Sequence, residues 1–263
     1  MPSKVAAQMY TVRDHTKTRS ELAESLRKIS QMGYEAAQFS AVGALENDNP
    51  EITVQESKQM LDDVGIRCIA THRSWDDLAN NTQSEIDFHG VLECNYVAIG
   101  GIPQPYRSQG EQGYRDFLEA ARPVIQKLKA AGLTFGYHNH AHEFERYAPG
   151  PKTLIDIFLE EGGPDFTLEF DVYWVSHAGA NPARLLTQAA GRVPVIHAKD
   201  KEVDAKEGPV MCPVGEGNLD WDGIIAAGDK AGVEWYAVEQ DTCRRDPFDC
   251  LRSSLDFLTS KGV

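Results

Sequence analysis

Four histidine or acidic side chains lie at the ends of consecutive predicted strands in the second half of the chain. They are His138, Asp171, His197 and Glu239, separated by 33, 26 and 42 residues. Imidazole nitrogen and carboxylate oxygen together suit Mn²⁺, Co²⁺, Zn²⁺ or Fe²⁺. A mixed shell with open positions is what a catalytic metal needs in order to bind substrate oxygens. The pattern predicts one divalent metal ion, with Mn²⁺ as the preferred assignment, held by ligands from four structural units.

Each of these residues also has a purely structural explanation. A histidine at a strand end often only packs and forms hydrogen bonds, Asp171 could cap a helix or form a turn, and Glu239 could pair with a nearby Arg or Lys. Because the ligands are far apart in sequence, they form no local motif. The metal interpretation therefore depends on the fold that would bring four strand ends to one rim.

Short β-rich runs alternate with amphipathic helical windows along the whole chain. Leu22, Leu26 and Ile29, for example, fall at i, i+4 and i+7 on one helix face. The eight predicted strands cover residues 5–10, 36–39, 66–71, 96–100, 133–138, 166–171, 193–198 and 235–239.

Four of the predicted connections from a helix to the next strand, called joints below, share one helix–Gly–strand pattern. Gly33, Gly65, Gly132 and Gly232 each stand just past a predicted helix, where glycine turns the chain through positive φ. Eight β-then-α units in an uninterrupted chain favour parallel strands, and 263 residues suit a closed barrel. We predict one α/β domain over residues 1–263, a single (β/α)₈ TIM barrel. A doubly wound open sheet is the alternative, and the sequence lacks the G-x-G-x-x-G turn and P-loop typical of that class.

Composition excludes several classes of function. The chain carries 26 Lys and Arg against 40 Asp and Glu, a net charge of −14, which argues against a nucleic-acid partner. No apolar run approaches the roughly 18 residues of a membrane helix, so no membrane association is expected. The five cysteines have no metal-finger spacing, and no signal peptide is evident at residues 1–10. A cytoplasmic location is the resulting expectation.

Other polar residues also fall at predicted strand ends, where TIM barrels place their active sites. We predict that His72, Lys199, Trp174 and Gln8 contact the substrate, with Trp174 walling the pocket or stacking on a sugar face. The run 215–217 (GEG) follows the seventh strand, where many barrels bind phosphate. We interpret it as a plain turn before a helix capped by Asp220.

The chain resembles the xylose-isomerase-like barrel superfamily, often called sugar phosphate isomerases/epimerases. The resemblance spans essentially the whole chain. It rests on residues 8–13 (QMYTVR), 137–144 (YHNHAHEF), 170–174 (FDVYW), 197–200 (HAKD), 214–217 (VGEG) and 238–241 (VEQD).

This resemblance implies a metal held by Glu, Asp, His and Glu from the last four strands, as in the ketose epimerases. Asp171, His197 and Glu239 match three places, and His138 stands where the first Glu is expected. Either His138 is the ligand or Glu143 folds back to replace it. The His-Asn-His run at 138–140 resembles the branch containing inosose dehydratase-like proteins and enzymes acting on 3-keto-glycosides.

The implied chemistry is abstraction of a proton next to a sugar carbonyl, with a divalent metal stabilising the enediolate. His140, Glu239 and Glu143 are the candidate catalytic residues, and His138 is a further base if it is not a ligand. Reprotonation gives an isomerase or epimerase acting on a ketose or keto-sugar, which is the function we predict. Loss of a β-oxygen gives the alternative, a lyase or dehydratase acting on a 3-keto-glycoside or inosose.

Two further alternatives come from other classes of protein. A metal-dependent apurinic endonuclease shares the barrel, but the acidic charge and the absence of a clustered Lys/Arg surface disfavour it. A catalytically inactive sugar-binding barrel is the non-enzyme alternative, kept open by His138 in the Glu place. Barrels of this group often pair, so a homodimer is compatible with the resemblance, although no sequence feature indicates one.

Overall fold

Eight parallel strands form a closed barrel in the computed structural model, which describes residues 3–147 and 150–263. The strands are β1 (Val5–Gln8), β2 (Ala36–Phe39), β3 (Arg67–His72), β4 (Tyr96–Ile99), β5 (Thr134–His138), β6 (Thr167–Asp171), β7 (Val195–Ala198), β8 (Asp200–Asp204), β9 (Gly208–Cys212) and β10 (Trp235–Val238). Around the wall β1 to β7 follow one another, β10 pairs with β7, and β10 closes onto β1. The predicted (β/α)₈ TIM barrel is confirmed.

All eight predicted strands lie in the barrel wall, and the observed ends differ from the predicted ends by at most two residues. The first strand stops at Gln8, because Met9–His15 forms a 3₁₀ helix. The Gln8 side-chain oxygen accepts a hydrogen bond of 2.7 Å from the Tyr10 backbone N–H, which caps that helix. The antiparallel β8–β9 hairpin was not predicted.

Helices on the outside connect the strands. They are α1 (Arg19–Met32), α2 (Gly43–Glu46), α3 (Val54–Asp63), α4 (Trp75–Asn80), α5 (Thr82–Leu92), α6 (Gly110–Ala130), α7 (Leu154–Glu161), α8 (Val172–His177), α9 (Pro182–Gln188), α10 (Trp221–Ala231) and α11 (Pro247–Ser260), with 3₁₀ turns at Tyr106–Gln109 and His142–Phe144. The four joint glycines have φ between +72° and +104°, so the predicted positive-φ turns are confirmed. Leu22, Leu26 and Ile29 are fully buried, as their spacing predicted.

The barrel interior is apolar at its base and polar toward the carboxyl ends of the strands. Alanines from five strands and the Tyr96 ring fill the base, and an added Cβ at Gly136 would clash with the Tyr96 hydroxyl. Side chains alternate along a strand, so Thr167, Glu169 and Asp171 share one face of β6. The register places Glu169 beside Val195 and Asp171 beside His197, so the polar residues form successive layers above the base.

The 215–217 turn is built around Asp200, the first residue of the hairpin. The Asp200 carboxylate accepts hydrogen bonds from the backbone N–H groups of Lys201, Gly215, Gly217 and Leu219 and from the Trp221 indole at 2.7 Å. The backbone donors of this glycine pair therefore already bind an internal carboxylate. Asp220 caps α10 through the Gly223 N–H, so the interpretation of this run as a turn is confirmed.

Replacing Asp200 should destabilise the fold without emptying the metal site. Asp200→Ala leaves several buried donors unpaired, and each unsatisfied group costs about 1–3 kcal/mol. We expect the free energy of unfolding to fall by about 3 kcal/mol or more in urea titrations. Metal content per folded chain should stay at the wild-type value, and loss of metal from a folded Asp200→Ala protein would contradict this assignment.

No helix within residues 3–147 and 150–263 combines the length and apolarity needed to span a membrane.

Candidate metal and sugar site

The deepest polar layer is organised by Glu169, which is completely buried. Its Oε1 accepts a hydrogen bond of 2.8 Å from Gln38 Nε2. Its Oε2 lies 2.5 Å from His72 Nε2, 3.0 Å from His197 Nε2 and 3.3 Å from His138 Nδ1. One carboxylate oxygen thus meets the imidazoles of three different strands.

A second layer lies above it, at the strand ends. His197 Nδ1 is 2.6 Å from Glu239 Oε2. Lys199 Nζ lies 2.9 Å from Asp171 Oδ2, 2.7 Å from the same Glu239 oxygen and 2.7 Å from Asp241 Oδ1. Ligand atoms of Asp171, His197 and Glu239 all lie within 4.8 Å of one another. Three of the four predicted metal ligands are therefore brought together.

The fourth, His138, connects the two layers. Its Nδ1 faces Glu169, while its Nε2 lies 3.8 Å from Asp171 Oδ2. His197 is arranged in the same way, with Nε2 toward Glu169 and Nδ1 toward Glu239. Metal-binding histidines usually donate their second ring nitrogen to a carboxylate or carbonyl, which fixes the ring. The residues present therefore fit a divalent ion held by Asp171 Oδ2, His197 Nδ1 and Glu239 Oε2, and His138 Nε2 faces Asp171 as the proposed fourth ligand. His138 also belongs to a second group of possible ligands, with His72, Glu169 and His197.

Asp171 serves two purposes at once. Its Oδ1 accepts a hydrogen bond of 3.0 Å from the Trp174 backbone N–H and caps α8. Its Oδ2 forms an ion pair of 2.9 Å with Lys199 Nζ and lies 3.8 Å from His138 Nε2. The sequence offered helix capping and metal binding as alternative roles for Asp171. In the structure, the cap and the proposed metal ligand use different oxygens of the same carboxylate.

Burial and charge pairing set the protonation of this cluster. Burial, followed by the nearby His197, lowers the pKa of His138 well below 6.5 and keeps its ring neutral. Burial also disfavours charged His197, but the Glu169 and Glu239 carboxylates outweigh this and raise its pKa to about 10. Burial raises the pKa of Asp171 to about 6 although Lys199 opposes the change. Lys199 and His197 outweigh burial at Glu239 and hold its pKa well below the usual range.

The loop after β5 forms a separate group of His140, His142 and Glu143. Glu143 is buried, accepts a hydrogen bond of 2.7 Å from the Tyr137 hydroxyl and one of 2.8 Å from the His140 backbone N–H. Both Glu143 oxygens are thus used in hydrogen bonds to the end of β5 and to the loop after it. Glu143 lies outside the group formed by Asp171, His197 and Glu239. Burial lowers the pKa of His140 to about 4, and its Nδ1 has no hydrogen-bond partner in the described structure.

Two cavities meet at this rim. The smaller, of about 240 Å³, is bounded by residues from several strand ends and contains His72, His138, His140, Lys199 and Glu239 among its lining. The larger, of about 510 Å³, is walled by Trp75 and Trp174 and shares Gly100 and His140 with the smaller.

Two predicted substrate contacts stand apart from the smaller cavity. Trp174 lines the larger one, with its ring 5.7 Å from the His140 ring. Gln8 lines neither of the two cavities, and its side-chain oxygen caps the first 3₁₀ helix. Three further polar residues of this rim, Glu169, Gln38 and Asp241, were not predicted to belong to the site. Alternation from Asp171 would have placed Glu169 on the same inner face of β6.

A family model described as xylose isomerase-like TIM barrel matches residues 26–261. The chain belongs to this family. The xylose isomerase-like barrel seen here also carries its polar side chains at the carboxyl ends of the strands, as barrel enzymes do.

Solved structures agree with the barrel assignment at low identity. A sugar phosphate isomerase/epimerase from Parabacteroides distasonis is 21% identical, with a TM-score of 0.80 over 99% of this chain and 95% of that one. The probable 3-DHS dehydratase AsbF from Bacillus anthracis is 14% identical, with a TM-score of 0.71 over 98% and 99%. The IolI protein with a bound zinc atom is 13% identical, with a TM-score of 0.68 over 98% and 97%. At such identities the likeness concerns the fold. No curated protein matches the sequence.

Proposed function

We propose that this family member is a divalent-metal-dependent isomerase or epimerase acting on a ketose or keto-sugar. The observation that carries the proposal is the convergence of Asp171, His197 and Glu239, with His138 Nε2 facing them, beside a cavity of sugar size. The isomerase/epimerase and the zinc-containing protein with similar folds support it. We propose Mn²⁺ first, with Co²⁺, Zn²⁺ or Fe²⁺ as alternatives that suit the same nitrogen and oxygen donors.

When bound, the divalent ion supplies Lewis-acid stabilisation of the negative charge that develops on the substrate oxygens. The protein supplies the proton transfers. His140 is neutral at pH 7 because burial lowers its pKa, and Glu239 is ionised because Lys199 and His197 lower its pKa. They come from β5 and β10, which are separated in the wall by β6 and β7. Epimerisation requires one group that removes the substrate proton and a second group that returns a proton on the opposite face. We propose that one of the two residues acts as the base and that the other, after taking up a proton from solvent, acts as the acid.

His140 should therefore matter for proton transfer and little for metal binding. We expect His140→Gln to retain its metal and to lose about 10²-fold or more of the exchange of the substrate C–H for deuterium. The readouts are metal content and ¹H NMR of keto-sugars in D₂O. Undiminished exchange in His140→Gln would transfer the role of base to Glu239.

The same residue gives a prediction for pH. In the folded protein the pKa of His140 is about 4, so its ring stays neutral above pH 5. We therefore expect His140 to cause no fall in kcat/KM near pH 6.5, where an ordinary histidine becomes protonated. The unfolded chain binds more protons between pH 6.5 and about 4, so the contribution of His140 to stability is lost as the pH falls through that window. An NMR titration of the His140 ring, assigned by comparison with His140→Gln, measures the pKa directly.

The alternative is a lyase or dehydratase acting on a 3-keto-glycoside or inosose by β-elimination. The larger cavity favours this alternative, because it adjoins the first at His140 and could hold a leaving group against Trp174. AsbF, a probable dehydratase, has a similar fold. Incorporation of one deuterium with no loss of a fragment supports epimerisation, whereas a new conjugated carbonyl and a released fragment support elimination.

Metal analysis separates these enzyme functions from the inactive sugar-binding barrel. About one Mn, Co, Zn or Fe per chain supports the enzyme, and no metal after reconstitution supports the binding protein. The single domain over residues 1–263, the cytoplasmic location, the absence of a nucleic-acid partner and the homodimer stay predictions.

A further inference from the structure

Lys199 is a buried cation surrounded by carboxylates. The residue is only 2% exposed, and its ammonium lies 2.7–2.9 Å from oxygens of Asp171, Glu239 and Asp241. A buried ammonium is stable only when it is paired and hydrogen-bonded. The three carboxylates satisfy this requirement in the structure as it stands.

Two of these oxygens are the same atoms that we assign to the divalent ion. Asp171 Oδ2 and Glu239 Oε2 face both Lys199 and the nitrogens of His138 and His197. Carboxylate oxygens bind such ions at about 2.0–2.2 Å. Two cations that share both oxygens would lie within a few ångströms of each other in a buried site, where their repulsion is large.

The third carboxylate differs from the other two. Asp241 belongs to none of the metal-binding groups found among residues 3–147 and 150–263. Its side chain is 28% exposed and lines the smaller cavity. Asp241 is therefore an acceptor that Lys199 can keep when a metal takes Asp171 and Glu239.

We propose that Lys199 is an internal competitor for the metal position. Its ammonium neutralises Asp171 and Glu239 in the metal-free protein, and binding of the divalent ion displaces it toward Asp241. This inference rests on the proposed metal site. It adds that the Lys199 ammonium lowers the affinity of that site for a divalent ion.

The first test is the Kd for Mn²⁺ of the full-length metal-free protein, measured by competition with a fluorescent chelator. Lys199→Met removes the competing charge and should bind Mn²⁺ about tenfold more tightly or better, a typical size for coupling between two binding events. Lys199→Gln is the second variant if the apolar side chain impairs folding. Lys201→Met is the matched control. Its ammonium contacts the Ser176 carbonyl at 3.0 Å, so the same charge is lost two residues away.

Asp241→Asn should have the opposite effect. Asn keeps an acceptor oxygen but carries no charge, so the displaced ammonium loses its ionised partner and the affinity for Mn²⁺ should fall by about tenfold. In the Lys199→Met background the same substitution should change Kd by less than about threefold, because no ammonium remains to be displaced. Thermal melting provides an independent readout, since Lys199→Met should melt lower without metal and gain more from Mn²⁺ than the wild type.

The outcomes separate this inference from the proposed function. Tight Mn²⁺ binding by the wild type with equal or weaker binding by both Lys199 variants overturns the competition and leaves the metal site intact. Binding by Lys199→Met but not by the wild type supports the competition in its strongest form. No binding by any variant overturns both proposals.

Discussion

Asp171→Ala and His197→Ala are each expected to lose the bound metal and nearly all turnover while the barrel stays folded. Both side chains contribute ligand atoms to the same group at the rim, and neither belongs to the apolar core. A metal that stabilises developing charge contributes several kcal/mol to the transition state, so kcat/KM should fall by about 10³-fold or more. Elemental analysis gives the metal content, and circular dichroism confirms the fold.

His177→Ala is the control for this experiment. His177 is an exposed histidine at the end of α8 and lies outside every metal-binding group of the described residues. It should keep the wild-type metal content and rate. Full metal retention in both Asp171→Ala and His197→Ala would refute the site.

Glu169→Gln is expected to weaken metal binding by about 10- to 100-fold, the usual effect of removing an outer-shell partner of a ligand. Glu169 fixes the rings of His138 and His197 so that their free nitrogens face Asp171 and Glu239. The amide keeps the shape but loses the charge and one acceptor. We expect excess Mn²⁺ to restore most of kcat, because we propose that Glu169 acts through the ligands. A loss of kcat that excess Mn²⁺ does not restore would instead make Glu169 itself a ligand, together with His72, His138 and His197.

Two variants make this result specific. Glu239→Gln alters a ligand and proposed base, so excess metal should not restore its kcat. Glu85→Gln alters another buried carboxylate, which binds Arg73 with two contacts of 2.7 Å and lies outside the metal-binding groups of the described residues. It should leave the affinity for Mn²⁺ unchanged. A Glu169→Gln protein with wild-type affinity would show that the imidazoles are oriented by packing alone.

Much of the fold was predictable because the positions of glycines and the spacing of apolar residues indicated the same order of helices and strands. The glycines at the helix–strand joints have the positive φ expected of them, and the periodic leucines of α1 are buried. The β8–β9 hairpin was missed, because its strands are partly exposed and polar and lack an alternating pattern.

The site was less predictable. Strand ends identify which residues reach the rim, but not the depth at which each side chain lies or the atom it presents. His138 and Glu143 could not be separated as ligands in sequence, because the choice depends on the loop that folds Glu143 onto Tyr137 and the His140 backbone. His72 was expected at the substrate and also contacts Glu169 beneath it.

The sequence alone determined the order and parallel pairing of the barrel strands, because periodicity and glycine positions are local properties of the chain. It also placed Asp171, His197 and Glu239 on adjacent strand ends, since strand order fixes which ends are neighbours. Only the tertiary structure decided that Glu169 contacts three imidazoles and that Lys199 faces the oxygens of Asp171 and Glu239. Those contacts depend on register, burial and side-chain direction across the barrel, which residue spacing does not encode.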